Sequence, residues 1–229
     1  MADPDVDVAL QRIEKDYPCS DVKEMTIYYD QCAQTYELDV ANLNYATPRA
    51  IAEAASNLAL DDQKRTWNIL DLASGTGLVG EALRKSGFSG ELTALDCSKN
   101  MLQAAMNKPG LNNAGILHTL TVDSPVPLPD STFDLIACGG GFGKDAITAK
   151  CFQEVIRLLK VGGFFIKSSR ISDQLKEFHK EFEEELSHLE TSQRVKVVAS
   201  DMYSQYHWNT SGGGSTGIVS GKLDVYQKL

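Results

Sequence analysis

Two carboxylates and a run of glycines carry most of the chemical information in this chain. The segment Asp71-Leu72-Ala73-Ser74-Gly75-Thr76-Gly77-Leu78-Val79-Gly80 leads from an apolar run through glycines into a helical pattern. Glycines at the end of a strand let backbone amides approach a bound molecule, because no Cβ stands between. Gly75 to Gly80 spells G-x-G-x-x-G, the spacing of dinucleotide-binding turns, although purely structural glycine turns share it. Asp96 ends the next apolar run, where a carboxylate can take both hydroxyls of a ribose. Asp71, four residues before Gly75, suits a ligand with a cationic amino-acid end better than a pyrophosphate. A dehydrogenase would share the acid at Asp96 but not the one at Asp71, and the chain holds no Tyr-x-x-x-Lys pair.

The remaining reactive residue types are less telling. His118 alternates with Ile116 and Leu120 and reads as a structural histidine in a strand, while His179 and His188 fall on a glutamate-rich helix and read as solvated. His207, close to Tyr203, Tyr206 and Trp208, is the one histidine in a substrate-facing segment and the only, weak, candidate for a catalytic base. Cys97 and Cys138 read as small packing residues rather than nucleophiles. Five scattered cysteines without a C-x-x-C pair argue against a disulfide framework or a metal site and for a reducing, cytoplasmic setting.

The elements that must position these residues follow from periodicity. Before residue 67 the pattern is helical: Val22, Met25, Tyr29, Cys32 and Tyr36 share one helix face, and Thr47-Pro48 reads as an N-cap followed by proline in the first turn. Tyr29 and Tyr36, seven residues apart, then point to one side, as a lid would require. Strands are predicted at 67–73, 91–95, 116–122, 133–138 and 163–167, alternating with helices at 78–85, 99–108 and about 147–159. Such alternation predicts a parallel sheet covered by helices on both faces. A strongly amphipathic helix follows from Ile171 to Leu189. Two terminal strands, 194–199 and 217–226, are then joined by a long Gly/Ser-rich connection carrying Tyr203 to Trp208.

Composition bounds the possibilities. The 229 residues make one domain, divided into N-terminal helices (1–66), a central core (67–170) and a C-terminal helix with a strand hairpin (171–229). A formal charge of −9 argues against a nucleic-acid or anionic-membrane partner, since phosphate binding needs clustered cations. The longest apolar runs fall far short of the roughly 20 residues that span a bilayer. The acidic start, Met1 to Asp5, does not resemble a signal peptide.

Taken in order, Asp71-Leu-Ala-Ser-Gly-Thr-Gly, Asp96, the Pro129-Asp130-Ser131-Thr132-Phe133-Asp134 entry to the fourth strand and the Leu159-Lys160-Val161-Gly162-Gly163 turn resemble the motifs of class I S-adenosylmethionine-dependent methyltransferases. The resemblance covers about residues 28–170. A narrower likeness, to the methyltransferase-like proteins of the Williams–Beuren syndrome chromosome region, rests on Tyr29-Asp30-Gln31-x-Ala33-x-x-Tyr36, Asp39-Val40-Ala41, Tyr45, Pro48-Arg49 and Thr76 to Val79. Ser74 stands where Cys or Gly is usual, Val161 replaces a proline, and the loop Gly139-Gly140-Gly141-Phe142-Gly143 is unusually bare.

The resemblance implies an α/β, Rossmann-like, seven-stranded and mostly parallel sheet, with helices on both faces and an antiparallel C-terminal hairpin. It implies S-adenosylmethionine as cofactor, S-adenosylhomocysteine as product, and in-line methyl transfer to a small or medium-sized acceptor. Carried over by position, Asp71 and the backbone of Ala73, Ser74, Gly75 and Gly77 hold the methionine moiety, and Asp96 holds the ribose, with Cys97, Ser98 and Met101 near the adenine. The acid after the third strand is matched by Asp123, or by the place of Val122 when counted back from Phe133. Cys138 and Gly139 lie at the methyl face, and Tyr29 and Tyr36 roof the cofactor. A nicotinamide-type oxidoreductase and a non-catalytic cofactor-binding partner protein are the two rival classes that share the glycine turn.

Overall fold

The computed structural model describes Ala9, residues 21–209 and residues 216–229, with the side chains of 206–209 and 216 outside that description. Four helices precede the sheet: α1 (Val22–Cys32), α2 (Tyr36–Asn42), α3 (Thr47–Leu58) and α4 (Asp61–Thr66). Then β1 (Ile69–Leu72), α5 (Leu78–Lys85), β2 (Leu92–Asp96), α6 (Lys99–Met106) and β3 (Ala114–Leu117) alternate. They are followed by β4 (Phe133–Gly139), α7 (Phe152–Leu158), β5 (Leu159–Arg170), α8 (Lys176–Thr191), β6 (Val195–Asn209) and β7 (Thr216–Lys228). The sheet order is β3-β2-β1-β4-β5-β7-β6. The first five strands run parallel, and β7 inserts antiparallel between β5 and β6. This is the mostly parallel seven-stranded sheet with an antiparallel C-terminal hairpin that the family resemblance implies.

Every residue of β1 is buried, because helices cover both faces of the central strands. Alternate residues feed two cores. Leu70, Leu72, Ile136 and Phe165 pack beneath α7 and α8 against Phe152, Val155, Phe178 and Phe182. Ile69, Leu135, Ala137 and Ile166 pack on the other face against Ile51 and Ala55 of α3 and Val79 and Leu83 of α5.

Several predicted boundaries move, each for a local reason. The third strand is Ala114–Leu117, not 116–122, because it pairs with Thr93 to Asp96 and β2 offers no partner beyond Asp96. The helix face from Val22 to Tyr36 is broken: Thr35 donates its amide to the Cys32 carbonyl at 3.0 Å and its hydroxyl at 3.3 Å, closing a turn between α1 and α2. Thr47 does not cap α3. It is the first helical residue after Ala46, and its buried hydroxyl turns to Tyr203 and Ser168. Ile147 precedes the α7 helix, which begins only after a 3₁₀ turn at Ala149–Cys151, and Leu159 already opens β5. The amphipathic helix starts at Lys176, after a 3₁₀ turn at Asp173–Leu175. The stretch containing Tyr203 to Trp208 belongs to β6 and pairs with β7, so the predicted long connection is mostly strand.

Candidate active site

Strand order reverses between β1 and β4, whose crossovers leave the sheet in opposite directions and open a crevice at the carboxyl ends of the strands. The turn after β1 occupies that crevice. Ala73, Gly75 and Gly77 all adopt left-handed backbone, with φ of 55°, 54° and 88°. The two glycines serve different ends. A Cβ at Gly77 would come within 2.8 Å of Leu111 Cδ2, so Gly77 is needed for packing. A Cβ at Gly75 would meet nothing within 4 Å among the described residues, and Gly75 lines the crevice, so there the space itself is the feature.

The two acids are held differently. Asp96, 7% exposed, accepts from the Gly75 amide through Oδ2 at 2.7 Å and from the Ser98 amide through Oδ1 at 2.8 Å. Burial raises its pKa, against the pull of those amides. Asp71 is fully buried, and its Oδ2 accepts from the Gly80 amide at 3.1 Å. Its Oδ1 has no partner among the described residues. Burial, opposed by the Gly80 amide and reinforced by the nearby Asp96, pushes this carboxyl up to about 7. The hydroxyls of Ser74 and Thr76 are likewise buried without partners. Unsatisfied buried groups are few in native proteins, and three within six residues mark a turn shaped for something besides its own packing.

Around this turn lies a cavity. Ala73 and Gly75 after β1, Leu95 and Asp96 at the end of β2, Cys97 and Met101 at the start of α6, and Gly139 to Gly141 with Ile147 at and after the end of β4 all line it. His118, Thr119 and Leu120 line a side. Val22, Met25, Tyr29 and Tyr36 close the top, with the two tyrosine rings edge to face at 6.3 Å. The α1 roof is tied down through Asp30. Its Oδ1 accepts from the Ser98 hydroxyl at 2.6 Å and the Asn100 amide at 3.0 Å, while its carbonyl accepts from Asn100 Nδ2 at 2.9 Å. The Thr26 hydroxyl donates to Cys97 Sγ at 3.4 Å.

Tyr29, Tyr36, Ala73, Gly75, Asp96, Cys97, Met101 and Gly139 thus line one cavity. Other predicted residues stand behind it or away from it. Asp71 ties to the Gly80 amide of α5, the Ser74 hydroxyl is buried without a partner among the described residues, and Gly77 is the packing glycine of the turn. The Ser98 hydroxyl caps α6 at the Met101 amide and serves Asp30, so it is not free for a ligand. Cys138 is buried, and burial pushes its thiol up to about 12, as suits a packing residue. Asp123 is exposed on the turn between Thr121 and Ser124, because β3 ends six residues before it. The residues that follow β3 into the cavity wall are His118 to Leu120. His207 lies in β6 opposite Ile218, not in a connecting loop, and its side chain is among those not described. His118 does have a partner, the Ser124 carbonyl at 3.1 Å from Nε2. His179 is not simply solvated: it is half-buried, with Nε2 at 3.0 Å from the Arg170 carbonyl. Sequence reading passed over Asp30, whose only signal was its place between Tyr29 and Gln31.

Comparison with known proteins agrees with this architecture. Residues 69–163 match the family model described as a methyltransferase domain. Human methyltransferase-like protein 27 is 31% identical over 179 residues, covering 78% of this chain and 71% of that protein. A ubiquinone/menaquinone biosynthesis C-methyltransferase from Hydrogenovibrio crunogenus is 29% identical, over 62% of this chain and 56% of its own length. Among solved structures, a TehB-like S-adenosylmethionine-dependent methyltransferase from Corynebacterium glutamicum superposes with a TM-score of 0.58 at 18% identity, covering 89% of this chain and 99% of the other. A glycine turn after β1, an acid ending β2 and an antiparallel final hairpin define the class I S-adenosylmethionine-dependent methyltransferases, and this chain belongs to them, in the family of methyltransferase-like protein 27. It is therefore a methyltransferase, its cofactor is S-adenosylmethionine, and the oxidoreductase reading falls away.

Proposed function

We propose that the cavity above β1 and β2 holds S-adenosylmethionine and that the enzyme methylates a small or medium-sized acceptor placed over the bare Gly139–Gly141 loop. The observation that carries this reading is the open space above Gly75 next to the Asp96 carboxylate. Asp96 has lone pairs beyond those engaged by the Gly75 and Ser98 amides, enough to accept from two ribose hydroxyls. The turn at Ala73 to Gly75 faces the methionine end, and Cys97, Met101 and Leu120 supply an apolar slot for the adenine. His118 and Thr119 stand where an acid was expected, so in this reading the adenine edge meets them rather than Asp123.

When bound, S-adenosylmethionine supplies both the methyl group and its leaving group. The chain's part is to hold acceptor and methyl in line, for which orientation contributes about 7–11 kcal/mol. Tyr29 and Tyr36 cover the site and keep water out. The quinone-pathway name of one relative and the net charge of −9 both favour a small-molecule acceptor over nucleic acid. Among the described residues no helix is long and apolar enough to cross a membrane. The thiols of Cys97, Cys138 and Cys151, which form no disulfide among the described residues, suit a reducing compartment, and we place the enzyme in the cytoplasm.

Calorimetry with S-adenosylhomocysteine tests the site. Asp96→Ala is expected to weaken binding at least tenfold, because charge-assisted bonds contribute about 1.5–3 kcal/mol each. Gly75→Val should abolish binding, since its side chain enters the cavity from a left-handed backbone that valine resists. Unchanged affinity in both folded variants would remove the cofactor from this cavity.

A further inference from the structure

Among the described residues Asp96 is the one acid that lines the cavity, and the ribose hydroxyls occupy it in the cofactor reading. The other polar side chains there are Tyr29, Tyr36, Cys97, His118 and Thr119. A purine with a 6-amino group presents a donor at its edge, whereas a 6-oxo purine presents an acceptor. Telling the two apart needs a group that accepts and cannot donate. A hydroxyl does not qualify, because it rotates to serve either.

His118 meets that condition. Its Nε2 lies 3.1 Å from the Ser124 carbonyl oxygen. A carbonyl only accepts, so in the neutral ring Nε2 carries the hydrogen and Nδ1 is left with a lone pair. Nδ1 makes no hydrogen bond among the described residues. The carbonyl that sets this tautomer is itself held in place. Thr121 and Ser124 exchange backbone hydrogen bonds at 3.3 and 3.2 Å. Two residues on, the Val126 amide donates to Glu154 of α7 at 2.8 Å, and Arg157 of α7 donates to the Val126 carbonyl at 3.0 Å. The turn that orders the imidazole is thus anchored to α7.

The position suits a base reader. The His118 amide donates to the Asp96 carbonyl at 3.0 Å, so the imidazole stems from backbone bonded to the residue whose side chain serves the ribose. A base joined to that ribose falls beside it, where Leu95, Met101 and Leu120 supply apolar lining. Asp123, the acid expected for this task, is exposed on the same turn and does not line the cavity.

We propose that His118 is the base-reading residue of this enzyme: its Nδ1 lone pair accepts from the 6-amino group of adenine and rejects purines that lack it. A 6-oxo purine would set two lone pairs against each other with no hydrogen between them, and a purine with hydrogen at position 6 would leave Nδ1 unpaired. Thr119, on the same side, makes no such selection, since its hydroxyl serves an amine and a carbonyl alike. The inference rests on the cofactor reading and deepens it, by giving the selection to a neutral imidazole in place of a carboxylate.

The test is calorimetry on the full chain with S-adenosylhomocysteine, S-inosylhomocysteine and the analogue whose purine carries hydrogen at position 6. It is run at about pH 8, on the alkaline side of free histidine. The wild type is expected to bind both analogues at least tenfold more weakly than S-adenosylhomocysteine. His118→Phe keeps a ring but offers no acceptor. It should weaken S-adenosylhomocysteine about tenfold and bring it within about threefold of both analogues. A general loosening of the site would instead weaken all three ligands alike and preserve the preference. His118→Leu replaces the phenylalanine variant if that does not fold. Equal binding of the three ligands by the wild type, a preference retained in the folded His118 variant, or a preference lost in Thr119→Val but not in the His118 variant would overturn the proposal. Failure of the wild type to bind S-adenosylhomocysteine at all would sink the cofactor reading, and this assignment with it.

Discussion

The two acids show how position along a strand separates roles that residue type alone does not. Asp96, at the end of β2, reaches the cavity, whereas Asp71, within β1, is sealed beneath the turn and tied to the Gly80 amide. The family motif made both legible, but not their division of labour, which depends on where the turn folds back. Asp71 has a pH signature. Burial first, with the Asp96 charge adding and the Gly80 amide opposing, moves its pKa from 3.8 to about 7. The folded chain keeps a proton there that the unfolded chain releases, so this group's contribution to stability is full below about pH 4 and is lost as pH rises through about 7. Asp71→Asn, neutral throughout, should therefore gain on the wild type by about 1–4 kcal/mol between those limits. Urea unfolding of both proteins across that range checks the sign, and a pH-independent difference would show that Asp71 ionises freely in the folded chain.

At the scale of elements, α1 and α2 matter most. Residue spacing placed Tyr29 and Tyr36 on one face of one helix. The chain instead breaks at Thr35, and the two rings meet across the break. The pairing survives because both short helices pack over the same cavity, which periodicity cannot express. Asp30 is what fastens α1 to the start of α6. Saturating S-adenosylhomocysteine should slow amide exchange over residues 22–45, since a roof that gains ligand contacts opens less often. Asp30→Ala should speed exchange over 22–32 without cofactor. Equal exchange with and without cofactor would make the tyrosines ordinary core packing. The C-terminal hairpin carries a second feature that periodicity could not show. Lys167 and Asp224, each nearly fully buried, face one another across β5 and β7, with Ser200 donating to Asp224 at 2.7 Å and the Lys167 ammonium over the Phe182 ring. An isolated lysine in a predicted strand gives no hint of a partner 57 residues on.

For the molecule as a whole, cofactor binding and stability are linked. A ligand at about 100 times its Kd adds about 2.7 kcal/mol to the folded state. For a chain of this length that raises Tm by roughly 5–10 °C. A thermal scan with S-adenosylhomocysteine should show that rise in the wild type and little of it in Asp96→Ala. An equal rise in both would place the ligand elsewhere.

Sequence alone gave the alternation of strands and helices from β1 onward, the glycine turn and the acid ending β2, and through these the resemblance that the comparisons bear out. These are local: a short, mostly apolar strand, a turn that tolerates positive φ and a helix that follows at once are written in neighbouring residues. Tertiary structure alone decided which of those residues reach the cavity. Asp123 lost its place because β2 ends at Asp96 and gives β3 nothing further to pair with. Thr47, Ser168 and Tyr203 converge although 156 residues separate the first from the last, since only the insertion of β7 between β5 and β6 folds the hairpin back onto α3. Strand pairing at such distances depends on complementary surfaces formed after the elements exist, and no spacing within a single segment encodes it.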